Sequence, residues 1–454
     1  MKPKFAYATA LATTASLTLV AQSARAQITV NCTTTTETPA HNDCSAPLTP
    51  VAGGGSFPGS LLVPGTSTSF AVHGFVQFDA AHDFGPHGGP LSANGLTAQA
   101  LEGPGASEAQ LAAHASNGGT AMSVNNTRLD IETRTPTAFG NLKTYIELDF
   151  NQTGGSQLGG NASLVRLRMA YGTLGPWLIG QTTTLFSDPL SYPDLADSAL
   201  DAGMIQGGIV RKPQIRYTWL GGNGLSVAAA FDMPTYNGAL GNSFGDARDT
   251  AGATLATHAT NDTATGGYQN LPRLVVAPEW DQPWGHIRFA AVIGDNQFRS
   301  TTINHETAEY AFGLTGHLNT WGKDALRAGV RYNRGAADYA DDMFQGGELY
   351  NDTTGESAAV TLWSAYASYE HFISHQWRAN ASLGYAQMSG NPGFTQTSVL
   401  AGIEKEHLTS HLNVIYAPVP QTDFILEWIH TYRQVRSAAD ATSNRIDAEC
   451  RFYF

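Results

Sequence analysis

From Arg128 to Arg134 the chain reads Arg-Leu-Asp-Ile-Glu-Thr-Arg, which puts four charges on one parity and Leu129, Ile131 and Thr133 on the other. A strand sends successive side chains to opposite faces, and four consecutive charges on one face exclude a dry core there. The division recurs. Leu142, Thr144, Ile146, Leu148 and Phe150 alternate with Lys143, Tyr145, Glu147 and Asp149, and Val165, Leu167, Met169 and Tyr171 alternate with Arg166 and Arg168. Ile287, Phe289, Ala291 and Ile293 oppose His286 and Arg288, while Leu326, Ala328, Val330 and Tyr332 oppose Arg327, Arg331 and Asn333. Phe70, Val72, Val76 and Phe78 share one side of an earlier segment. The second parity is mostly polar or small, with Val292 an exception.

Sixteen such segments are readable, at about 70–80, 127–135, 141–150, 163–172, 176–184, 210–219, 224–232, 271–280, 285–294, 307–318, 325–334, 358–371, 376–388, 405–417, 422–433 and 444–454. Connections after even-numbered segments are short and most of the others are long. An even count of strands of about ten residues, joined alternately by tight turns and long loops, is the pattern of an outer-membrane barrel. Six of the eight Trp (Trp177, Trp219, Trp280, Trp284, Trp321 and Trp377) lie near the short turns, where amphipathic rings settle between lipid and water. The last segment ends in Phe454, and its pairing with the first would remove both sheet edges, which lipid does not tolerate open. The expected fold is all-β: a sixteen-stranded antiparallel transmembrane β-barrel over residues 69–454, with short periplasmic turns and long extracellular loops. Composition agrees. With 14% charged residues and 48 Gly the chain is poorly charged for a soluble domain, yet past the N-terminus it has no apolar run long enough for a membrane helix.

Residues 1–26 read as a signal peptide: Lys2 and Lys4, an apolar stretch from Phe5 to Val20, and the small residues of Ala24-Arg25-Ala26. Cleavage removes three positive charges, so the net charge changes from -13 to -13 - 3 = -16. An acidic exported chain excludes nucleic acid as a partner. Residues 27–68 are rich in Thr, Pro and Gly and read as a flexible segment, in which Cys32 and Cys44 form a possible disulfide; Cys450 stands alone. The Cys and His spacings fit neither a zinc site nor a thiol redox centre, so no metal or cofactor is expected.

Sixteen strands enclose a lumen too wide for side chains to fill, so function depends on its lining. The basic wall residues are Arg128, Arg134, Arg166, Arg168, Arg211, Lys212 and Arg216, then Arg288, Arg327, Arg331 and Arg378. Arg suits bidentate recognition of carboxylates, and rings of Arg favour anions. These arginines can equally pair with Asp130, Glu132, Glu147 and Asp149. The loop from Ser187 to Gly208 is the best candidate to fold inward, with Asp188, Asp194, Asp197 and Asp201 opposing the wall arginines across a constriction. The expected function is diffusion of small hydrophilic, anionic solutes rather than catalysis. A membrane-barrel hydrolase and a non-conducting structural or adhesive barrel are the alternatives. Gly241-Asn-Ser-Phe-Gly245 fits G-x-S-x-G but lies in a Gly- and Asn-rich stretch, not at a strand-to-helix turn.

Arg134-Thr-Pro136 followed by Gly140 to Phe150, Arg166-Leu-Arg-Met-Ala-Tyr171 leading to Leu178-Ile-Gly-Gln181, Lys212-Pro-Gln-Ile-Arg-Tyr217 and Leu412-Asn-Val-Ile-Tyr-Ala-Pro418 together resemble the DcaP-like outer-membrane porins. The resemblance spans roughly Phe70 to Phe454. It implies a homotrimer in the Gram-negative outer membrane, in contact with its lipids and lipopolysaccharide, that passes small anions such as dicarboxylates. It also implies that Arg134, Arg166, Arg168, Arg211 and Arg216 line the pore. One departure is the N-terminal segment, which lacks the heptads of the family's helical extension.

Overall fold

The computed structural model describes residues 54–84, 119–152, 164–196, 210–233, 253–256, 265–267, 271–300, 304–336, 339, 348–351, 357–359, 361–389, 404–435 and 441–454. Sixteen strands among them close a barrel. They are β1 Ser69–Asp83, β2 Arg128–Thr137, β3 Gly140–Gln152, β4 Leu164–Leu174, β5 Trp177–Thr183, β6 Arg211–Gly222, β7 Leu225–Asp232 and β8 Arg273–Gln282. The remainder are β9 Gly285–Ser300, β10 Asn304–Asn319, β11 Ala325–Arg334, β12 Thr361–Phe372, β13 Trp377–Ser389, β14 Glu404–Val419, β15 Thr422–Val435 and β16 Ala441–Tyr453. Each pairs antiparallel with the next, and β16 closes on β1 with Phe75 opposite Tyr453. The seam is sealed from inside by a bidentate pair, Arg445 Nε to Asp83 Oδ1 at 2.8 Å and Nη2 to Oδ2 at 2.9 Å.

The two parities separate as the sequence requires. Val72, Val76, Ile131, Leu142, Ile146, Phe289, Ile293 and Val330 are exposed on the outside, while Gln77, Asp79, Asp130, Glu132, Glu147 and Asp149 are buried within. All eight Trp are exposed. Several pack against rings at the short-turn end, among them Trp177 with Tyr217 at 5.0 Å and Trp377 with Tyr416 at 4.4 Å. The Gly222-Asn223-Gly224 turn requires its glycine: Gly224 has φ +78°, and a Cβ there would meet Asp281 O at 1.8 Å.

One expectation is corrected. Met169 and Tyr171 do not share the outer face of Val165 and Leu167, because a bulge in β4 leaves Arg168 unpaired between Leu167, opposite Leu148, and Met169, opposite Glu147. Arg168 and Met169 are therefore both buried, and Tyr171 lies 5.4 Å from the inward Tyr145. Residues before Ser69 also take part in the sheet. Leu61–Leu62 pairs with Ser69 and Phe70, and Phe57 tucks under the Arg134 guanidinium, 4.3 Å from its ring centroid, at the short-turn end of the lumen. An apolar ring beneath a fixed cation gives that polar stretch an anchor invisible to periodicity. Cys32, Cys44 and residues 1–26 lie outside the described residues. Cys450 carries a free thiol, on the outward parity of β16.

Candidate functional site

The lumen has two unlike sides. On β2–β4 the register sets Arg128 opposite Asp149, Asp130 opposite Glu147 and Arg134 opposite Lys143, so like and unlike charges stack in rows across the wall. Arg166 grips Asp149 with two bonds, Nε to Oδ1 at 2.8 Å and Nη2 to Oδ2 at 2.6 Å. Arg168 spans Glu147 and Asp149, each at 2.6 Å, and Arg128 stands 3.7 Å from Glu147. Glu132 takes Arg134 at 2.5 Å and Lys143 at 3.1 Å. Such bidentate pairs hold the guanidinium planes rigid.

On β6 the alternation separates two neighbours: Lys212, Gln214 and Arg216 are buried inside, while Arg211 starts the strand on the other parity, partly exposed. Its electrostatic neighbours are nevertheless Arg168, Arg166, Glu147 and Arg128. Arg216 is bonded to neutral acceptors, Gln214 Oε1 at 2.9 Å and Thr183 O at 2.6 Å. The described parts of β2–β6 carry eight basic residues (Arg128, Arg134, Lys143, Arg166, Arg168, Arg211, Lys212, Arg216) and four acidic ones (Asp130, Glu132, Glu147, Asp149), a formal excess of 8 - 4 = +4.

The chain leaving β5 at Thr184 turns into the barrel and follows the inner wall to Ala196. Leu185 and Phe186 come first and pack into an apolar patch of Ala228, Ala230, Val275, Ala277, Ala290, Val292 and Ala311. The inward Val292 is thus explained: the lumen is dry where the loop covers it. A side chain beyond β11, Tyr339, closes over Phe186 edge-on at 5.8 Å, with the Lys212 Nζ 4.6 Å and the Arg273 guanidinium 5.4 Å from its ring. Arg273 is itself paired with Glu309.

Polar anchors follow in chain order. Ser187 O accepts from Arg288 at 2.9 Å. Asp188 accepts from Thr315 Oγ1 at 2.7 Å, meets His286 Nε2 at 3.2 Å and caps the turn Pro189–Ser191 through Leu190 N at 3.2 Å. Ser191 Oγ lies 2.6 Å from Tyr366 Oη, and Asp194 receives Arg378 at 3.0 Å on its carboxylate and Asn413 at 2.7 Å on its carbonyl. Finally Ala196 N donates to Glu427 at 2.8 Å. The loop is stitched in order to β9, β10, β12, β13, β14 and β15. Burial alone would raise the carboxyl pKa of Asp188, but Arg288, His286 and Thr315 outweigh it and hold the group well below the usual carboxylate range. Burial pushes the Tyr192 phenol up to about 12.

Asp188 and Asp194 thus engage the wall behind the loop, and Asp197 and Asp201 lie outside the described residues, as does Gly241 to Gly245. Of the later arginines, Arg288 pairs with Glu279, Arg327 with Glu370 at 2.6 Å, and Arg378 with Asp423 at 3.1 Å as well as Asp194. Arg331 is buried and, among the described residues, no acid pairs with it. Glu279, Asp281 and His286 stand close enough to share a cation, yet Nδ1 of His286 is taken by Asp281 at 2.7 Å and Glu279 by Arg288. The loop's partners His286, Thr315, Tyr366, Asn413 and Glu427 escape sequence reasoning, since nothing local marks an inward polar residue as an anchor rather than as wall.

A closed barrel with an apolar exterior, a charged interior and an infolded loop defines an outer-membrane β-barrel of the porin type. The model of the Porin subfamily matches residues 59–449, and the chain belongs to that family. It is a Gram-negative outer-membrane protein. The barrel superposes on the outer-membrane channel DcaP of Acinetobacter baumannii with a TM-score of 0.67 at 17% identity, over 85% of this chain and 97% of that one. Porin Omp2b of Brucella suis is 27% identical over 180 residues, 38% of this chain and 40% of the relative, and Porin Omp2a of Brucella melitensis is 27% identical over 191 residues, 38% and 44%. The chain therefore matches less than half the length of these two porins.

Proposed function

We propose that the barrel is a passive diffusion channel for small hydrophilic solutes, that it prefers anions of the dicarboxylate kind, that it carries out no catalysis, and that it works as a homotrimer embedded among lipids and lipopolysaccharide. The observation that carries the reading is the +4 excess on β2–β6, facing a loop whose described acids are engaged on the opposite wall. The proposed anion-preferring wall is Arg128, Arg134, Arg166, Arg168, Arg211, Lys212 and Arg216. Arg288, Arg327, Arg331 and Arg378 act mainly by holding the loop and its wall. The overall charge of -13 does not contradict this, because exposed charges separated by more than a Debye length of about 8 Å are screened in physiological salt. Planar bilayers bearing the purified protein under a salt gradient test the reading. A reversal potential of the sign for anion preference is expected, weakened in Arg166→Ala and Arg216→Ala; cation selectivity of the parent sinks it.

A further inference from the structure

Among the described residues Arg331 is the one arginine whose three guanidinium nitrogens are all buried without a hydrogen-bond partner. The residue is 5% exposed. It projects inward from β11 beneath the infolded loop, where register sets it between Gly313 of β10 and Ser364 of β12. The Phe186 ring lies over it, centroid 5.5 Å from the guanidinium carbon, and Tyr192 of the loop and Tyr366 of β12 are within its electrostatic reach. Two acids among the described residues of that region are committed elsewhere: Asp188 to Thr315, His286 and Arg288, and Glu370 to Arg327.

A guanidinium buried with no acceptor among the described residues costs several kcal/mol, and a ring face offsets only part of that. The deficit is one negative charge with several acceptor directions, beside the Phe186 ring and within electrostatic reach of Tyr192 and Tyr366. A dicarboxylate is ill suited, because its second charge would be buried in turn against Phe186. A halide is suited: it is spherical, accepts hydrogen bonds from any direction and brings a single charge.

We propose that Arg331 holds a small monovalent anion of halide size between the loop and the β10–β12 wall, and that this anion belongs to the loop's attachment rather than to the stream of permeating solutes. The site lies behind the loop, on the side of the lumen opposite β2–β6. It would persist whether or not the channel as a whole prefers anions.

Crystals of the purified barrel grown in sodium bromide test this directly. An anomalous bromide peak within hydrogen-bonding reach of the Arg331 guanidinium is expected; a water or a protein oxygen in that place overturns the proposal. A second arm uses heat unfolding in detergent, comparing chloride with gluconate at equal ionic strength. The parent should unfold at a higher temperature in chloride, as ligand linkage requires, and Arg331→Met should lose that difference. An equal chloride effect in parent and variant overturns the assignment. If Arg331→Met does not fold, the bromide measurement on the parent decides. Both readouts are independent of the reversal potential, so the site and the channel's selectivity stand or fall separately.

Discussion

The β2–β6 side of the lumen and the β8–β15 side are built from the same residue types to opposite ends. On β2–β6 basic residues outnumber acids two to one, and Arg216 leans on neutral oxygens, so the wall keeps an unbalanced field. On β8–β15 four of the cations are answered by acids, Arg273 by Glu309, Arg288 by Glu279 and Asp188, Arg327 by Glu370, and Arg378 by Asp194 and Asp423, with the buried Arg331 an exception. The first arrangement acts on what passes and the second attaches a loop. Arginine in a barrel wall is thus no statement of selectivity until its partner is known.

The sharpest way to break this division is Asp188→Ala. It strips Thr315, His286 and Arg288 of a shared anion, and removing one member of such a buried group costs about 3–5 kcal/mol. Expected are protease cleavage within the loop and a noisier, larger single-channel conductance; a loop as resistant as the parent's would show that its other anchors, from Phe186 to Ala196, hold it without Asp188. Next comes a matched pair of charge removals. Arg216→Ala, which lowers the formal excess on β2–β6 from +4 to +3, should move the reversal potential toward zero. Arg288→Ala, buried beneath Ser187, should leave the reversal potential nearly unchanged while lowering resistance to unfolding. Equal shifts from both would erase the distinction between the sides. The smallest effect is that of mild acid. Because the fold holds the Asp188 carboxyl below its ordinary value of about 4, its contribution is present above that value and is lost only as pH falls through the lower folded one. From pH 7 to pH 4 the conductance noise attributable to the loop should therefore stay flat, rising only in stronger acid; a rise near pH 5 would place the switch elsewhere.

Much of the barrel is legible in the chain. Arg128 to Arg134 alone shows a wet face and a lipid face, and the tight turn at Gly222 to Gly224 falls where the alternation pauses. Val292 was visible as an irregularity, but its meaning waited on Phe186. Parity failed at Met169 because a bulge adds one residue without a compositional mark. It also leaves Arg211 and Lys212, adjacent and equally basic, in different settings. An inward course was expected for the loop from Ser187 to Gly208 on its position and acids, and its described part, Ser187 to Ala196, takes that course. The partners were not, since they are ordinary polar residues of distant strands.

The sequence by itself determined how many strands there are, which side of each meets lipid and that the interior is charged. All three follow from a period of two residues, a local property that any short segment displays. Only the tertiary structure decided which charges are balanced and which are left to act. Those contacts join residues as far apart as Ala196 and Glu427, 231 positions along the chain. They exist because closing the barrel brings one wall to face the other, and folding a loop between the walls lets that loop engage one and leave the other open.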